Sequence, residues 1–196
     1  MNLLSPALVV FGFVLGSIPT GVLLGRLVGR DPRKGGSGNI GATNVTRTMG
    51  KKWGAFTLLI DVLKGVVPTL LAARYSDLGT AAATGLSATL GHCFTPFLRF
   101  KGGKGVATAF GAMAALALPV ALFAALLWVA VAVLSRVPAI GSLAAAAAFV
   151  VLSAWGGLAF EIQLLAIALA VLVVARHQSN LRALKTRKKG RHGSRR

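Results

Sequence analysis

This chain has little acid and almost no sulfur. Its 196 residues include 4 Asp and Glu against 22 Lys and Arg, a single cysteine and a single tyrosine. Cys93 alone excludes an internal disulfide and supplies no thiol pair for a metal. It adjoins His92, but two neighbouring ligands are too few for zinc, which takes three or four. No metal-ligating cluster is visible and no cofactor is implied. The scarcity of carboxylates leaves a net charge of +18. What is abundant is apolar: 55% of the residues are hydrophobic, and mean hydropathy is +0.74. A soluble domain of this length is not normally so apolar, and long apolar spans exclude a soluble nucleic-acid binder.

The pattern reads as an all-α, polytopic integral membrane protein. Apolar runs long enough to cross a bilayer need about 20 residues. Candidate spans cover 3–25, 53–73, 78–98, 105–118, 119–135, 138–157 and 159–175. Met1-Asn2-Leu3-Leu4 brings no basic flank to the first run, so 3–25 is expected to be a retained helix rather than a cleaved signal. The run 105–135 is too long for one ordinary span, and Pro119 interrupts it. Charge favours dividing it. Seven spans with the N-terminus outside put Arg26, Arg30, Arg33, Lys34, Arg47, Lys51, Lys52, Arg136 and the basic end of the chain on the cytoplasmic side. Arg74, beside Asp77, then stays outside. One membrane domain is expected over 1–184, with a solvated basic tail over 185–196 near anionic headgroups.

Two glycine-rich loops fall on that cytoplasmic face. The first runs Gly35-Gly36-Ser37-Gly38-Asn39-Ile40-Gly41-Ala42-Thr43-Asn44-Val45-Thr46-Arg47. Glycines let backbone amides converge on an anion, and arginine adds a bidentate contact. Ser37, Asn39, Thr43, Asn44 and Arg47 all carry groups that bond phosphate, more than a plain linker requires. Within this loop 36–41 matches G-x-G-x-x-G, and Asp61 lies 20 residues beyond Gly41. A dinucleotide fingerprint needs a βαβ unit, and a membrane helix precedes this one. Asp61 instead falls inside the second span, three residues from Lys64, where the two read as a buried structural pair.

The second loop, Phe100-Lys101-Gly102-Gly103-Lys104-Gly105, opens into a helix expected from Val106. Free amides at a helix N-terminus suit a phosphate. Its spacing is not that of a Walker A loop. A plain basic turn is the competing reading. His177 and Asn180 follow the last span, three apart, so a continuing helix puts them on one face. A histidine there can orient or deprotonate a hydroxyl, or merely cap the helix. His92 is open between a hydrogen-bonded helix end and a place near the site. These features point to a membrane protein that handles phosphorylated molecules. A transporter of a phosphorylated solute is the alternative class; it predicts broken helices and polar residues at mid-membrane.

Gly36-Ser37-Gly38-Asn39-Ile40-Gly41-Ala42-Thr43-Asn44, Gly91-His92, Lys101-Gly102-Gly103-Lys104-Gly105-Val106-Ala107-Thr108 and His177 with Asn180 together resemble the bacterial acyl-phosphate:glycerol-3-phosphate acyltransferases, the PlsY family. The resemblance extends from Gly16-Ser17-Ile18-Pro19 through Asn180. It implies a seven-helix enzyme of the bacterial inner membrane with its site on the cytoplasmic face. It implies transfer of an acyl group from acyl phosphate to glycerol 3-phosphate, the first acylation of phospholipid synthesis. The implied catalytic residues are Ser37, Arg47, Lys104, His177 and Asn180. Gly38, Asn39, Thr43, Asn44, Lys101, Gly102 and Gly103 would bind substrate. The partners would be the two substrates and membrane lipids, not nucleic acid. The chain departs from the family pattern at Ala183, where an arginine is usual; Arg182 stands next to it. There is no Gly-x-Ser-x-Gly elbow and no His-x₄-Asp pair, since Phe97 stands five residues after His92 and Arg182 five after His177. With an activated anhydride as donor, direct attack by the glycerol hydroxyl is the expected chemistry.

Overall fold

A computed structural model describes residues 3–182. The basic tail 185–196 and the departure at Ala183 lie outside the described residues. Among the described residues the regular structure is helical, without a strand. Four segments are long and apolar enough to cross a membrane: Leu4–Leu27, Lys51–Tyr75, Leu118–Ser135 and Pro138–Trp155.

The first of these is not one helix. It divides into α1 (Leu4–Ser17) and α2 (Thr20–Leu27), with Ile18 extended and Pro19 before the first residue of α2. An uninterrupted helix over 3–25 was expected, and proline is the reason for the difference. Its ring fixes its own φ, removes an amide donor and disfavours helix at the residue before it. A break inside a membrane frees carbonyls that must find other partners. Here Thr95 Oγ1 donates to Ser17 O at 2.5 Å, and Lys64 Nζ donates to Ile18 O.

The segment expected as a loop between the first two spans is also partly helical. After a 3-10 turn over Pro32–Lys34 comes α3 (Ala42–Met49), which carries Thr43, Asn44 and Arg47. Gly50, at φ 99°, ends it in a conformation open to glycine and starts α4 (Lys51–Tyr75). The long α4 contains a buried Pro68. Next, α5 (Leu78–Cys93) is capped by Asp77, whose carboxylate accepts from the Thr80 amide and hydroxyl, both at 2.8 Å. A turn over 94–105, with Pro96–Leu98 in 3-10 form, leads to α6 (Val106–Leu116). Ala117, at φ −148° and ψ 66°, bends the chain into α7 (Leu118–Ser135), so 105–135 is divided as the sequence suggests. The break falls two residues before Pro119, which sits in the first turn of α7 where a missing amide costs nothing. Then follow α8 (Pro138–Trp155) and α9 (Phe160–Arg176), and 178–182 is again helical.

Small residues set the packing, as they do in helix pairs that cannot rely on the hydrophobic effect. α1 and α5 run parallel, joined by Ser5–Ser76, Ser87–Val9 and Thr95–Ser17 bonds at nearly constant sequence separation. Gly12 and Gly16 of α1 lie against Thr84 and Ala88 of α5, close enough that a Cβ would overlap the neighbouring backbone. Where α4 crosses α6, Gly65 meets Thr108 and Ala112 while Gly111 meets Val62 and Val66. A second core joins α6, α7, α8 and α9 through Met113, Ala121, Phe149 and Leu169. The outer surface is apolar: Leu126 is 71% exposed and Leu134 84%. That inverted distribution is what lipid contact requires.

Candidate functional site

α1 and α5 end beside the middle of the longer α4, where Lys64 meets Ile18 O and Asp61 faces His92. The site residues predicted from sequence lie on the 35–41 loop, on α3, on the 94–105 turn and just after α9.

The turn before α6 is tied to the end of α5. The Gly102 amide donates to Cys93 O at 3.1 Å, and the Gly103 amide to His92 O at 3.0 Å. Gly103 is buried because the His92 ring fills the space a side chain would take. Arg176, the last residue of α9, holds the same turn from the other side. Its Nε donates to Gly103 O at 3.1 Å and its Nη2 to Gly102 O at 3.2 Å, with the guanidinium over the Phe94 ring at 5.1 Å. By sequence Arg176 belongs to the basic end of the chain that topology places on the cytoplasmic side. Its position next to His177 was the only signal that it belonged to the site.

This arrangement directs Lys104 at the chain beyond α9, where its Nζ donates to Asn180 Oδ1 at 2.5 Å. Burial, and then the nearby Arg176 charge, lower the Lys104 pKa from its ordinary value. His177 is 2% exposed at the end of α9, and its Nδ1 lies 2.8 Å from Val173 O. A carbonyl only accepts, so Nδ1 carries the proton and Nε2 keeps its lone pair. Burial is the largest influence on this imidazole and lowers its pKa below 6.5; the Val173 carbonyl opposes that, and the Lys104 charge adds to it. Lys104 thus bonds Asn180 and lies close enough to His177 for its charge to act on the imidazole. Lys101 does not join them and is exposed. No side chain caps α6, whose first amides follow Gly105 at φ 77°.

The first loop is organised around Asn44, which is 3% exposed. Its amide group donates to Pro32 O at 2.8 Å, Gly35 O at 3.2 Å and Asn39 O at 2.7 Å, while its Oδ1 accepts from the Ser37 amide at 2.8 Å. Both ends of this side chain are engaged by the loop itself. Asn39 Oδ1 likewise accepts from the Gly41 amide at 2.8 Å, just before α3. The exposed side chains are Ser37, Thr43, Thr46 and Arg47, with Gly38 at φ 68° on the rim. Arg47 lies beside Gly36, and among the described residues its guanidinium has no carboxylate partner. No hydrogen bond or ion pair joins Ser37 or Arg47 to Lys104, His177 or Asn180. The loop is carried by α2, where Gly21 abuts Ile40 O, and by α4, where Gly54 abuts Thr46.

Two clefts meet at Val22 and Arg26. One, of about 260 Å³, has Arg26, Arg30 and Lys34 around it, together with Arg33 paired to Asp31. The other, of about 310 Å³, is apolar, lined by Ile18, Pro19, Leu23, Phe97 and Leu98. The buried pair expected in α4 is present: Asp61 Oδ1 accepts from Lys64 Nζ at 2.7 Å, and His92 Nδ1 stands 3.7 Å from the same oxygen. Without a strand around it, the 36–41 glycine pattern has no βαβ frame.

These features define a helical membrane protein that carries two clusters of cationic and amide groups, one around Asn44 and Arg47 and one around Lys104 and Arg176. Residues 6–187 match the family described as glycerol-3-phosphate acyltransferase. The chain is 50% identical over 187 residues to the glycerol-3-phosphate acyltransferase of Myxococcus xanthus, covering 94% of this chain and 97% of that one. It is 40% identical to that of Aquifex aeolicus, covering 91% and 94%. Among solved structures it is similar to PlsY, an integral membrane glycerol 3-phosphate acyltransferase, in its glycerol 3-phosphate form. The TM-score is 0.90 at 38% identity, over 93% of this chain and 92% of that one. With the lysophosphatidic acid form the TM-score is 0.88 at 39% identity, over the same shares. The chain belongs to the glycerol-3-phosphate acyltransferase family and is an acyltransferase.

Proposed function

We propose that this enzyme moves a fatty acyl group from acyl phosphate to glycerol 3-phosphate, giving 1-acylglycerol 3-phosphate and inorganic phosphate. The observation that carries this reading is the convergence of Lys104, His177 and Asn180 on a turn held by Arg176. A cation, an amide and an imidazole with a free Nε2 suit a phosphorylated alcohol. The related PlsY structures, in glycerol 3-phosphate and lysophosphatidic acid forms, fit an acceptor and a product of that kind. The adjoining basic and apolar clefts suit a donor with an anionic head and a long tail.

The glycerol hydroxyl oxygen attacks the acyl carbonyl carbon. The C–O bond of the mixed anhydride breaks, and phosphate leaves with the electron pair. The hydroxyl proton passes to His177 Nε2. Lys104 and Arg47 hold phosphates, Ser37 and Thr43 add hydrogen bonds, and Asn180 orients Lys104. Gly38, Lys101, Gly102 and Gly103 contribute amides and charge along the anionic groups. Asn39 and Asn44 act through the shape of their loop. Positioning and preorganised charge do the catalysis.

The proposed topology is seven spans over one domain, 1–184, in the bacterial cytoplasmic membrane. The N-terminus is outside and the site faces the cytoplasm, beside the basic tail. A transporter would also break helices near the bilayer midplane, as at Ile18–Pro19, but the family is one of enzymes. Purified protein mixed with acyl phosphate and glycerol 3-phosphate should release phosphate in step with lysophosphatidate. Phosphate release without dependence on glycerol 3-phosphate would overturn the reading.

A further inference from the structure

The buried charges of α4 take no part in the reaction just described. Asp61 is 2% exposed and Lys64 3%, in a surrounding of lipid-facing helices where an ion pair is costly. Their contacts lie at the two structural breaks that shape the site. Lys64 Nζ bonds Asp61 and Ile18 O, the carbonyl left free where α1 ends. His92 Nδ1 stands 3.7 Å from Asp61 Oδ1, which also faces Lys64 Nζ. The opposite edge of the same ring, at Nε2, presses on Gly103, where any Cβ would overlap it. His92 O takes the Gly103 amide at 3.0 Å. Lys104 is the next residue.

We infer that Asp61, Lys64 and His92 form a cross-brace that positions Lys104. The pair in α4 fixes the imidazole, and the imidazole sets the position of the Gly102–Gly103 turn from one side while Arg176 holds it from the other. The same lysine ties down the end of α1, from which α2 leads to the first glycine-rich loop. Asp61, Lys64 and His92 are positioning residues; none touches the reacting atoms. A ring wedged against a glycine transmits position through repulsion and packing, which tolerate little error, and a misplacement of about 1 Å can cost roughly 10²-fold in rate.

The brace rests on the assignment of Lys104 as a phosphate-holding residue, and a double-mutant cycle separates the two ideas. Asp61→Asn is expected to lower kcat/KM for glycerol 3-phosphate about 10–100-fold in detergent-solubilised enzyme. In a Lys104→Ala background the same change should cost less than about threefold, because its target is gone. Equal losses in both backgrounds would mean general damage and would overturn the brace. Near-normal turnover of Lys104→Ala alone would instead overturn the Lys104 assignment. A size exchange tests the wedge where a variant folds poorly or a background is too slow to measure. Gly103→Ala should lower the unfolding temperature of the native enzyme. In a His92→Ala background, where the ring has been removed, it should lower it far less. The same loss in both backgrounds would show that His92 does not set the turn.

Discussion

Lys104 is the residue on which the proposed site turns, because burial and the Arg176 charge lower its pKa while its Nζ is tied to Asn180. Removing one preorganised charge contact costs about 10²–10³-fold in rate, and that loss is expected for Lys104→Ala and for Arg47→Ala. Steady-state kcat/KM for both substrates checks it. His177 sets an acid limit. Its folded pKa is lowered below 6.5, so the imidazole stays neutral at pH 7 and loses its Nε2 lone pair only as pH falls beneath that value. Turnover should hold from neutrality through pH 6.5 and decline only at lower pH. A pH–rate profile with no acid limb down to the pH at which the enzyme unfolds would assign the proton to a substrate phosphate instead. Lys104 sets the alkaline limit, which should come below the ordinary lysine value of 10.5. Asn44 acts through stability. Its two amide hydrogens and its oxygen, at roughly 1 kcal/mol each, predict a loss of about 2–3 kcal/mol in Asn44→Ala, with faster proteolysis between α2 and α4.

Helices here meet through glycine, so the element scale is governed by clearance. Gly16→Ala would drive a methyl group into the Ala88 carbonyl. Overpacking of this kind costs about 1–3 kcal/mol, and unfolding of the purified protein in detergent should show it. Leu126→Ala, on the lipid-facing side of α7, should change stability by less than about 0.5 kcal/mol in the same assay. The break between α1 and α2 belongs to this scale too. Proline opens it, and Thr95 and Lys64 satisfy the carbonyls it frees. The broken helix leads the chain into α2 and the loop that follows.

For the whole molecule the governing fact is the distribution of charge along an apolar chain. Seven spans with the N-terminus outside predict that Lys34→Cys and Lys101→Cys, in a Cys93→Ala background, react with an impermeant maleimide in inverted vesicles only. Asp77→Cys should react only in right-side-out vesicles. Labelling of Lys34→Cys and Lys101→Cys from opposite faces would refute a single cytoplasmic site.

The sequence alone determined the class of fold and marked the segments from which the proposed site is built. Long apolar runs have few physical outcomes, and in lipid a backbone must satisfy itself within helices. The motifs at Ser37–Arg47, Lys101–Gly105 and His177–Asn180 were legible because glycine, amide and cation side by side have few other uses. Tertiary structure decided what depends on distance. It split 3–25 at Pro19, turned 42–49 into a helix and gave Asn44 to the loop's own backbone. It also brought Arg176 onto the 102–103 carbonyls and His92 against Gly103. These partners are separated by up to 74 residues in the chain, and no local pattern records which helices will touch.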